Sequence, residues 1–296
     1  MENNRKNILV IGGSGFVGGR IVQALADKRR DVVYTYATHK IPLDIHAYPL
    51  RITPTSGALK SILADINPHI VIYCAVNYGD ETTQRLINIE GVKRTISHLP
   101  SDALFIYLST NAVFGNGRGA YREDETPDAH LRTDSYRIYG TTKAEGERIT
   151  RKHWANSIII RTDTVNGRDV WGRFNPRLES QIQQLKQGEI VSRFVDRYIS
   201  PTLVDNLAEA IAEICEPDFQ YRGVLHIAGS ERITDYEYAR ILARHIGADE
   251  NLVHAQHIAD TPMKNAPRDA SLSVEFTQTL LKTRLLTVEQ QMQHIK

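Results

Sequence analysis

The sequence predicts an α/β protein with a doubly wound parallel sheet and a smaller C-terminal lobe. Short apolar runs alternate with segments whose apolar residues recur at helical spacing, beginning with a run at 8–11. These runs are continuously apolar, as is typical of strands buried on both faces of a parallel sheet. A glycine-rich loop joins the first run directly to the first helical segment. Together these three observations indicate alternating strand–helix units.

The first part of the chain supplies most of the predicted sheet. The predicted strands are 8–11, 31–36, 69–74, 103–108 and 157–161, and the predicted helices are 17–28, 57–66, 82–98 and 139–156. A stretch rich in Gly, Asp, Glu and Arg at 115–135 predicts a long loop, and long loops in compact domains are usually functional or mobile. Its acidic run at 123–125 is expected to be solvated.

The alternation becomes less regular after Arg161. Helices are predicted at 174–187, 202–215 and 234–246, with a strand at 223–228. We therefore expect a dinucleotide-binding domain over 1–161 that carries the catalytic residues. Residues 162–296 are expected to form mainly a substrate-binding lobe, interleaved with the first domain.

Composition excludes several classes of protein. The chain has 296 residues, a formal net charge of +1 and two cysteines. Such a charge balance predicts neither nucleic-acid binding nor membrane-surface binding. No apolar run approaches the ~18 residues of a membrane span, and the polar N-terminus does not resemble a signal peptide. We expect a reduced, cytoplasmic protein, without a metal site because no histidines or cysteines show zinc-ligand spacing.

The glycine loop predicts a nucleotide site. Gly12, Gly15 and Gly18 lie between a strand and a helix, where glycine permits a tight turn and close approach to a pyrophosphate. A purely structural turn is the alternative. The residues expected to contact the cofactor here are Gly12, Ser14, Gly15, Phe16, Val17 and Gly18.

The end of the second strand favours NADPH over NADH. An acidic residue at this point holds the ribose hydroxyls of NAD, whereas basic residues hold the 2′-phosphate of NADP. The chain has Thr38, His39 and Lys40 there and no nearby acid. We therefore expect NADPH, with NADH possible. The alternative is that His39 and Lys40 belong to a solvated loop.

A hydroxyl and a Tyr–Lys pair predict acid–base chemistry. Tyr139 and Lys143 are four residues apart and share a helix face, and Thr110 follows the strand at 103–108. A nearby ammonium lowers a phenol's pKa, which makes the tyrosine a proton donor and acceptor near neutral pH. Thr110 would polarise a substrate carbonyl. The alternative is an amphipathic helix start with an exposed lysine.

These motifs resemble the extended short-chain dehydrogenase/reductases, and within them the dTDP-4-dehydrorhamnose reductase branch. The resemblance rests on the glycine loop and on the segments 108–115, 139–143, 159–162, 195–208 and 226–229. It implies a Rossmann fold, catalytic roles for Thr110, Tyr139 and Lys143, and a contact between Lys143 and the nicotinamide ribose. It further implies that Cys74, Ala75 and Val76 line the cofactor and that the protein forms a homodimer.

The resemblance also implies a nucleotide-sugar substrate. Substrate contacts are expected at Asn111, Val113, Ser200 and Arg268, although Ser200 equally suits a helix N-cap before Pro201. Arg168 and Arg173 suit a clamp on the substrate diphosphate, with a solvated basic surface as the equal alternative.

Several positions depart from the family pattern. Asn111 stands where the reductases usually have Asp, and Asp163-Thr164 replaces an aromatic substrate contact. The main hypothesis is NADPH-dependent reduction of a 4-keto nucleotide sugar. The alternatives are a nucleotide-sugar epimerase of the same family and a non-catalytic NADP-binding regulatory subunit.

Overall fold

The computed structural model of the protein describes residues 7–55 and 57–295, so most of the polar N-terminal segment lies outside the described residues. Its centre is a seven-stranded parallel sheet. The strands of this sheet are β1 Ile8–Ile11, β2 Val32–Tyr36, β3 Ala47–Pro49, β4 Ile70–Tyr73, β5 Leu104–Thr110, β6 Ser157–Thr162 and β11 Gly223–His226. Their spatial order is β11-β6-β5-β4-β1-β2-β3. The predicted α/β class and doubly wound parallel sheet are confirmed.

Helices cover both faces of this sheet. They are α1 Phe16–Asp27, α2 Ala58–Ile66, α3 Glu81–Arg85, α4 Val92–Ile96, α5 Arg137–His153, α6 Pro176–Lys186, α7 Val204–Ile214, α8 Asp235–His245, α9 Glu275–Leu280 and α10 Val288–Met292. Alternate residues of β1 enter two different cores: Ile8 packs on the side of α1 and α7, and Leu9 on the side of α2, α4 and α5. This two-sided burial explains why the strands are continuous apolar runs in the sequence.

The remaining strands form small pairs in the second half of the chain. β7 Val165–Asn166 pairs with β10 Thr202–Leu203, β8 Val191–Phe194 with β13 Val253–Gln256, and β9 Tyr198–Ile199 with β12 Ile233–Thr234. β11 joins the central sheet beside β6, and α7 packs on α1. Residues from the second half of the chain therefore also belong to the hydrophobic core on the α1 side of the sheet. The boundary between residues 161 and 162 stays a prediction.

The helix predicted at 82–98 is interrupted. α3 and α4 are joined by a π-helical segment, Leu86–Gly91, where the backbone widens by one residue. The Tyr73 hydroxyl donates to the Ile87 carbonyl at 2.6 Å, and a side chain at Gly91 would meet that hydroxyl. The widening of the helix thus coincides with a contact from the neighbouring strand β4. The helical periodicity of the sequence alone does not reveal such a contact. The edge strand β3 was also missed, since only three residues form it.

The loop predicted at 115–135 is more deeply buried than its composition indicates. Tyr121 stacks on Phe114 with ring centroids 3.9 Å apart. Glu123 is only 9% exposed and accepts a hydrogen bond from the Thr277 hydroxyl at 2.8 Å, so the expectation that it is solvated is wrong. The partner lies 154 residues away in sequence, which is why local composition misjudged this glutamate.

Within the described part of the chain, none of the helices has the length and apolar character needed to cross a membrane.

Candidate functional site

The glycine loop makes a tight turn between β1 and α1. Gly12 has φ +80°, and a Cβ there would lie 2.7 Å from the Ala75 backbone nitrogen. A Cβ on Gly18 would lie 2.3 Å from the Gly12 carbonyl oxygen. The Gly12 amide donates to the Thr35 hydroxyl at 3.0 Å, which ties the loop to β2. Only glycine fits these two positions without a backbone shift.

The first turn of α1 is open to an anion. The helix begins at Phe16, its N-cap is Gly15, and no side chain caps it. The first turn carries no acidic residue, so its amide donors and the positive end of the helix dipole are uncompensated. A pyrophosphate suits such a helix start. Ser14, Phe16 and Val17 are partly exposed at this turn.

The structure brings the other predicted cofactor residues to the same edge of the sheet. Because β2 and β4 flank β1 in parallel, their carboxyl ends lie beside the glycine loop. Exposed residues Thr38, His39 and Lys40 follow β2, and the Lys40 ammonium lies 5.9 Å from the centroid of the Tyr36 ring. After β4, Cys74 is buried, Ala75 packs on Gly12 and Val76 is 40% exposed.

Thr110 and Tyr139 meet at this edge. Thr110 ends β5, accepts a hydrogen bond from the Ala112 amide at 3.1 Å and donates to Asn111 Oδ1 at 3.2 Å. Tyr139 lies in the first turn of α5, with the Thr110 hydroxyl close enough to lower the pKa of its phenol. Two hydroxyls are therefore placed next to each other, as carbonyl polarisation and proton donation require.

Sequence reasoning missed Tyr78. Its ring centroid lies 5.0 Å from that of Tyr139, and the two ring planes are inclined at 48°. The side chain is 67% exposed on the loop that follows β4. Its position just beyond the carboxyl end of a parallel strand was the signal that could have identified it.

The pKa of Tyr139 is well above its ordinary value. Burial is the main cause, since it disfavours the phenolate, and the neighbouring Tyr78 raises the pKa further. The nearby Thr110 hydroxyl acts in the opposite direction. The structure thus differs from the expectation of a pKa lowered by Lys143. A neutral phenol is nonetheless the protonation state that a proton donor needs.

Lys143 is a buried residue one turn further along α5. It is 2% exposed, its ammonium donates to the Leu108 carbonyl at 2.7 Å, and it lies 4.5 Å from the centroid of the Tyr107 ring. Burial lowers the pKa of Lys143 to about 8, while Cys74 and Glu147 oppose that shift. The alternative of an exposed lysine at a helix start is therefore wrong.

This burial predicts a pH-dependent stability for Lys143→Met. Below pH 8 the folded and unfolded chains both hold the proton, so folding carries the full cost of burying the charge. Between about pH 8 and 10.5 only the unfolded chain keeps the proton, so wild-type stability rises relative to the variant. Urea unfolding should show Lys143→Met more stable at pH 7, by at most about 3 kcal/mol, with the difference shrinking by pH 10. A pH-independent difference would contradict this assignment.

A buried ion pair and one hydrogen bond join β5, α5 and β6. Glu147 of α5 and Arg161 of β6 are both fully buried and lie 2.8 Å apart, Nη2 to Oε2. Ser109, next to Thr110, donates to Glu147 Oε1 at 2.6 Å. Neither Glu147 nor its contact with Arg161 was identified from sequence, because these residues are paired by the tertiary fold.

Two of the predicted substrate residues are buried in the interior of the protein. Val113 is fully buried in the core, so its side chain has no surface for a substrate. Ser200 is also fully buried, and its hydroxyl accepts from the Leu272 amide at 3.1 Å. The alternative role of Ser200 as an N-cap is wrong as well, since α7 starts later, after Leu203.

Asn111 is partly buried and donates to the Ala270 carbonyl at 3.2 Å.

Of the predicted arginines, Arg173 and Arg268 are exposed and Arg168 is partly buried. Arg168 donates to the Gly172 carbonyl at 2.6 Å and stacks on Phe174. Arg173 forms two hydrogen bonds with Asp169 Oδ2, at 3.0 and 2.9 Å. The Arg268 side chain is 60% exposed. Their roles toward a substrate stay predictions.

Residues 7–55 and 57–295 contain no group of three or more His, Cys, Asp or Glu side chains placed to hold a metal ion.

Comparison with known proteins defines the family. The model of the RmlD substrate binding domain matches residues 6–295. A probable dTDP-4,6-dihydroxy-2-methyloxan-3-one 4-ketoreductase from Streptomyces antibioticus is 27% identical over 254 residues, covering 83% of this chain and 79% of the relative. Methionine adenosyltransferase 2 subunit beta from Bos taurus is 25% identical over 247 residues, covering 76% and 69%.

A solved structure shares the fold. The dTDP-4-dehydrorhamnose reductase from Bacillus anthracis str. Ames in complex with NADP superposes with a TM-score of 0.80 at 19% identity, covering 98% of both chains. With a family match over nearly its whole length, this chain belongs to the RmlD substrate binding domain family of the extended short-chain dehydrogenase/reductases, as its motifs predict.

Proposed function

We propose that this protein is an NAD(P)-dependent reductase of a 4-keto nucleotide sugar. The observation that carries the proposal is the position of Thr110, at the end of β5, and of Tyr139, in the first turn of α5, at the sheet edge that also holds the glycine loop. Thr110 would hold the substrate carbonyl oxygen, and neutral Tyr139 would donate the proton to it. Lys143, one turn further along α5, would supply the nearby cation. Such positioned acid catalysis contributes about 10²–10⁴ in rate.

The described residues fit a dinucleotide. Gly12 and Gly18 leave a cradle that a Cβ would fill, and the uncapped start of α1 offers amide donors to a pyrophosphate. His39 and Lys40 at the end of β2 favour NADPH, with NADH possible. When bound, the nicotinamide supplies the hydride.

The name of the Streptomyces antibioticus relative, a probable 4-ketoreductase of a dTDP-linked compound, supports this reaction class.

The proposal is tested with purified protein, NADPH and a panel of 4-keto nucleotide sugars. We expect one sugar at least to be reduced with loss of one equivalent of NADPH absorbance, and slower turnover with NADH. An epimerase would interconvert sugars without net oxidation of NADPH. Tight NADPH binding without reduction of any sugar in the panel would overturn the proposal.

A second candidate function is that of a non-catalytic subunit. It is favoured by the relative from Bos taurus, which is itself named as a subunit of another enzyme, and by the departures Asn111 and Thr164. Light scattering after mixing with a purified methionine adenosyltransferase catalytic subunit tests it. A stoichiometric complex together with no turnover on the sugar panel supports this candidate. The same measurement on the protein alone tests the predicted homodimer.

A further inference from the structure

An exposed aromatic ring adjoins the proposed proton donor. The ring centroids of Tyr78 and Tyr139 are 5.0 Å apart, and Tyr78 is 67% exposed. A single exposed apolar side chain is ordinary on a protein surface, so exposure alone assigns no role. What distinguishes Tyr78 is its position on the loop after β4, at the edge of the sheet where a substrate carbonyl would meet Thr110 and Tyr139. The proposed proton transfer makes no use of Tyr78.

The backbone on either side of Tyr78 is fixed by hydrogen bonds. Asn77 Oδ1 accepts from the Gly79 amide at 2.6 Å, and the Gly79 carbonyl accepts from Gln84 Nε2 at 2.7 Å. Asp80 then caps the start of α3. None of these hydrogen bonds involves the Tyr78 side chain, so the loop keeps its shape independently of the ring that it presents. A ring presented by a fixed loop costs a ligand little ordering free energy.

Tyr78 lies on the catalytic face of the sheet. It contacts the first turn of α5, which packs on the face of the sheet that also carries α2 and α4. The helix α1, whose first turn suits a pyrophosphate, packs on the opposite face. The ring of Tyr78 is therefore placed beside the group that meets Tyr139, and away from the pyrophosphate end of the cofactor.

The neighbouring strand end offers a sugar little surface. β6 flanks β5 on the side opposite to β4. Thr162, which ends β6, and Asp163 are 8% and 3% exposed, and Asp163 accepts from the Ser200 amide at 2.6 Å. These two side chains are buried in the protein, whereas Tyr78 has an open aromatic surface next to Tyr139.

We propose that Tyr78 is a specificity-determining residue whose ring packs on the C–H face of the sugar while Thr110 and Tyr139 hold the keto oxygen. The ring hydrogens of a pyranose form an apolar face, and an aromatic side chain buries such a surface while a few polar groups set the orientation. Tyr78 acts through its ring, so its hydroxyl is dispensable. This inference rests on the proposed reductase function and adds to it a residue that selects the sugar rather than the nucleotide.

The first experiment measures binding without turnover. Calorimetry on the NADPH-saturated protein compares dTDP-glucose with dTDP, and UDP-glucose with UDP; none of these ligands carries a ketone to reduce. We expect the sugar-bearing ligand of at least one pair to bind the wild-type protein more tightly than its diphosphate. Tyr78→Ala should weaken binding of that ligand by about fivefold to tenfold and leave binding of the diphosphate and of NADPH unchanged. Tyr78→Phe should bind like the wild type.

Phe276→Ala is the matched control. Phe276 is 43% exposed and contacts Tyr221, which precedes β11 and so lies at the edge of the sheet opposite to the catalytic one. Removing the Phe276 ring should leave the affinity for all of these ligands unchanged. Because Tyr78 is exposed, Tyr78→Ala should also unfold close to the wild-type Tm, which shows that any loss of binding is local.

The second experiment measures reduction of the panel sugar that the wild-type protein turns over fastest. Tyr78→Ala should raise KM by about fivefold to tenfold and lower kcat far less than Tyr139→Phe does, and Tyr78→Phe should restore the wild-type KM. Loss of NADPH affinity in Tyr78→Ala would instead place the ring against the nicotinamide.

That result, an equal loss for the diphosphates, or no preference of the wild-type protein for either sugar-bearing ligand would overturn the role of Tyr78 in sugar binding. Each of these outcomes leaves the proposed reduction intact, since that proposal is judged by turnover of the whole panel. Absence of turnover with every sugar would overturn the reductase, while calorimetry would still report whether Tyr78 contacts a sugar.

Discussion

Tyr139→Phe should lower kcat for reduction by about 10²–10⁴ and leave NADPH affinity nearly unchanged. The substitution removes only the hydroxyl, so the packing of the ring against Tyr78 is retained. Loss of the proton donor slows the chemical step, whereas the glycine loop that is proposed to bind the cofactor lies on other elements. Steady-state NADPH oxidation gives kcat, and quenching of protein fluorescence gives the cofactor affinity.

Tyr136→Phe is the matched control. Tyr136 precedes α5 by one residue and is 41% exposed, and it has no lysine four residues later. Removing the Tyr136 hydroxyl should change kcat by less than about twofold, as expected for an exposed group. If both variants are equally active, Tyr139 is not the proton donor, and Tyr78 becomes the hydroxyl to test next.

Glu147→Ala should lower the free energy of unfolding by about 3–5 kcal/mol. The change leaves the Arg161 guanidinium fully buried without its carboxylate and removes the acceptor of the Ser109 hydroxyl. Because Ser109 adjoins Thr110, we also expect reduced activity in the folded fraction. Urea denaturation followed by circular dichroism measures the stability change.

Glu145→Ala supplies the comparison on the same helix. Glu145 and Arg148 form an exposed ion pair, which should be worth less than about 1 kcal/mol. The double variant Glu147→Leu with Arg161→Met should lose less stability than Glu147→Ala, because it leaves no uncompensated buried charge. A small loss in Glu147→Ala, near that of Glu145→Ala, would show that the pair does not hold the site together.

The local sequence pattern was sufficient to predict the features that depend on residues close together in the chain. The glycine loop and the apolar runs of β1, β4, β5 and β6 predict a parallel sheet, and a parallel sheet places its strand ends at one edge. Thr110 and Tyr139 can be assigned to that edge from the sequence, since one ends a strand and the other starts the next helix.

Local pattern failed where a residue's environment comes from distant chain. The family resemblance implied substrate contacts at Val113 and Ser200, but both are fully buried. Composition predicted a solvated Glu123, but this residue is buried and accepts a hydrogen bond from Thr277. Burial depends on which segments pack together, which composition does not encode.

The sequence by itself determined the fold class, the glycine loop between β1 and α1 and the pairing of a hydroxyl with a Tyr–Lys motif, because each rests on short-range spacing and backbone geometry. The tertiary structure alone decided the raised pKa of Tyr139, the Glu147–Arg161 pair and the contact between Tyr78 and Tyr139. All three arise from desolvation and from groups brought together by packing, and these act through space between residues far apart in the chain.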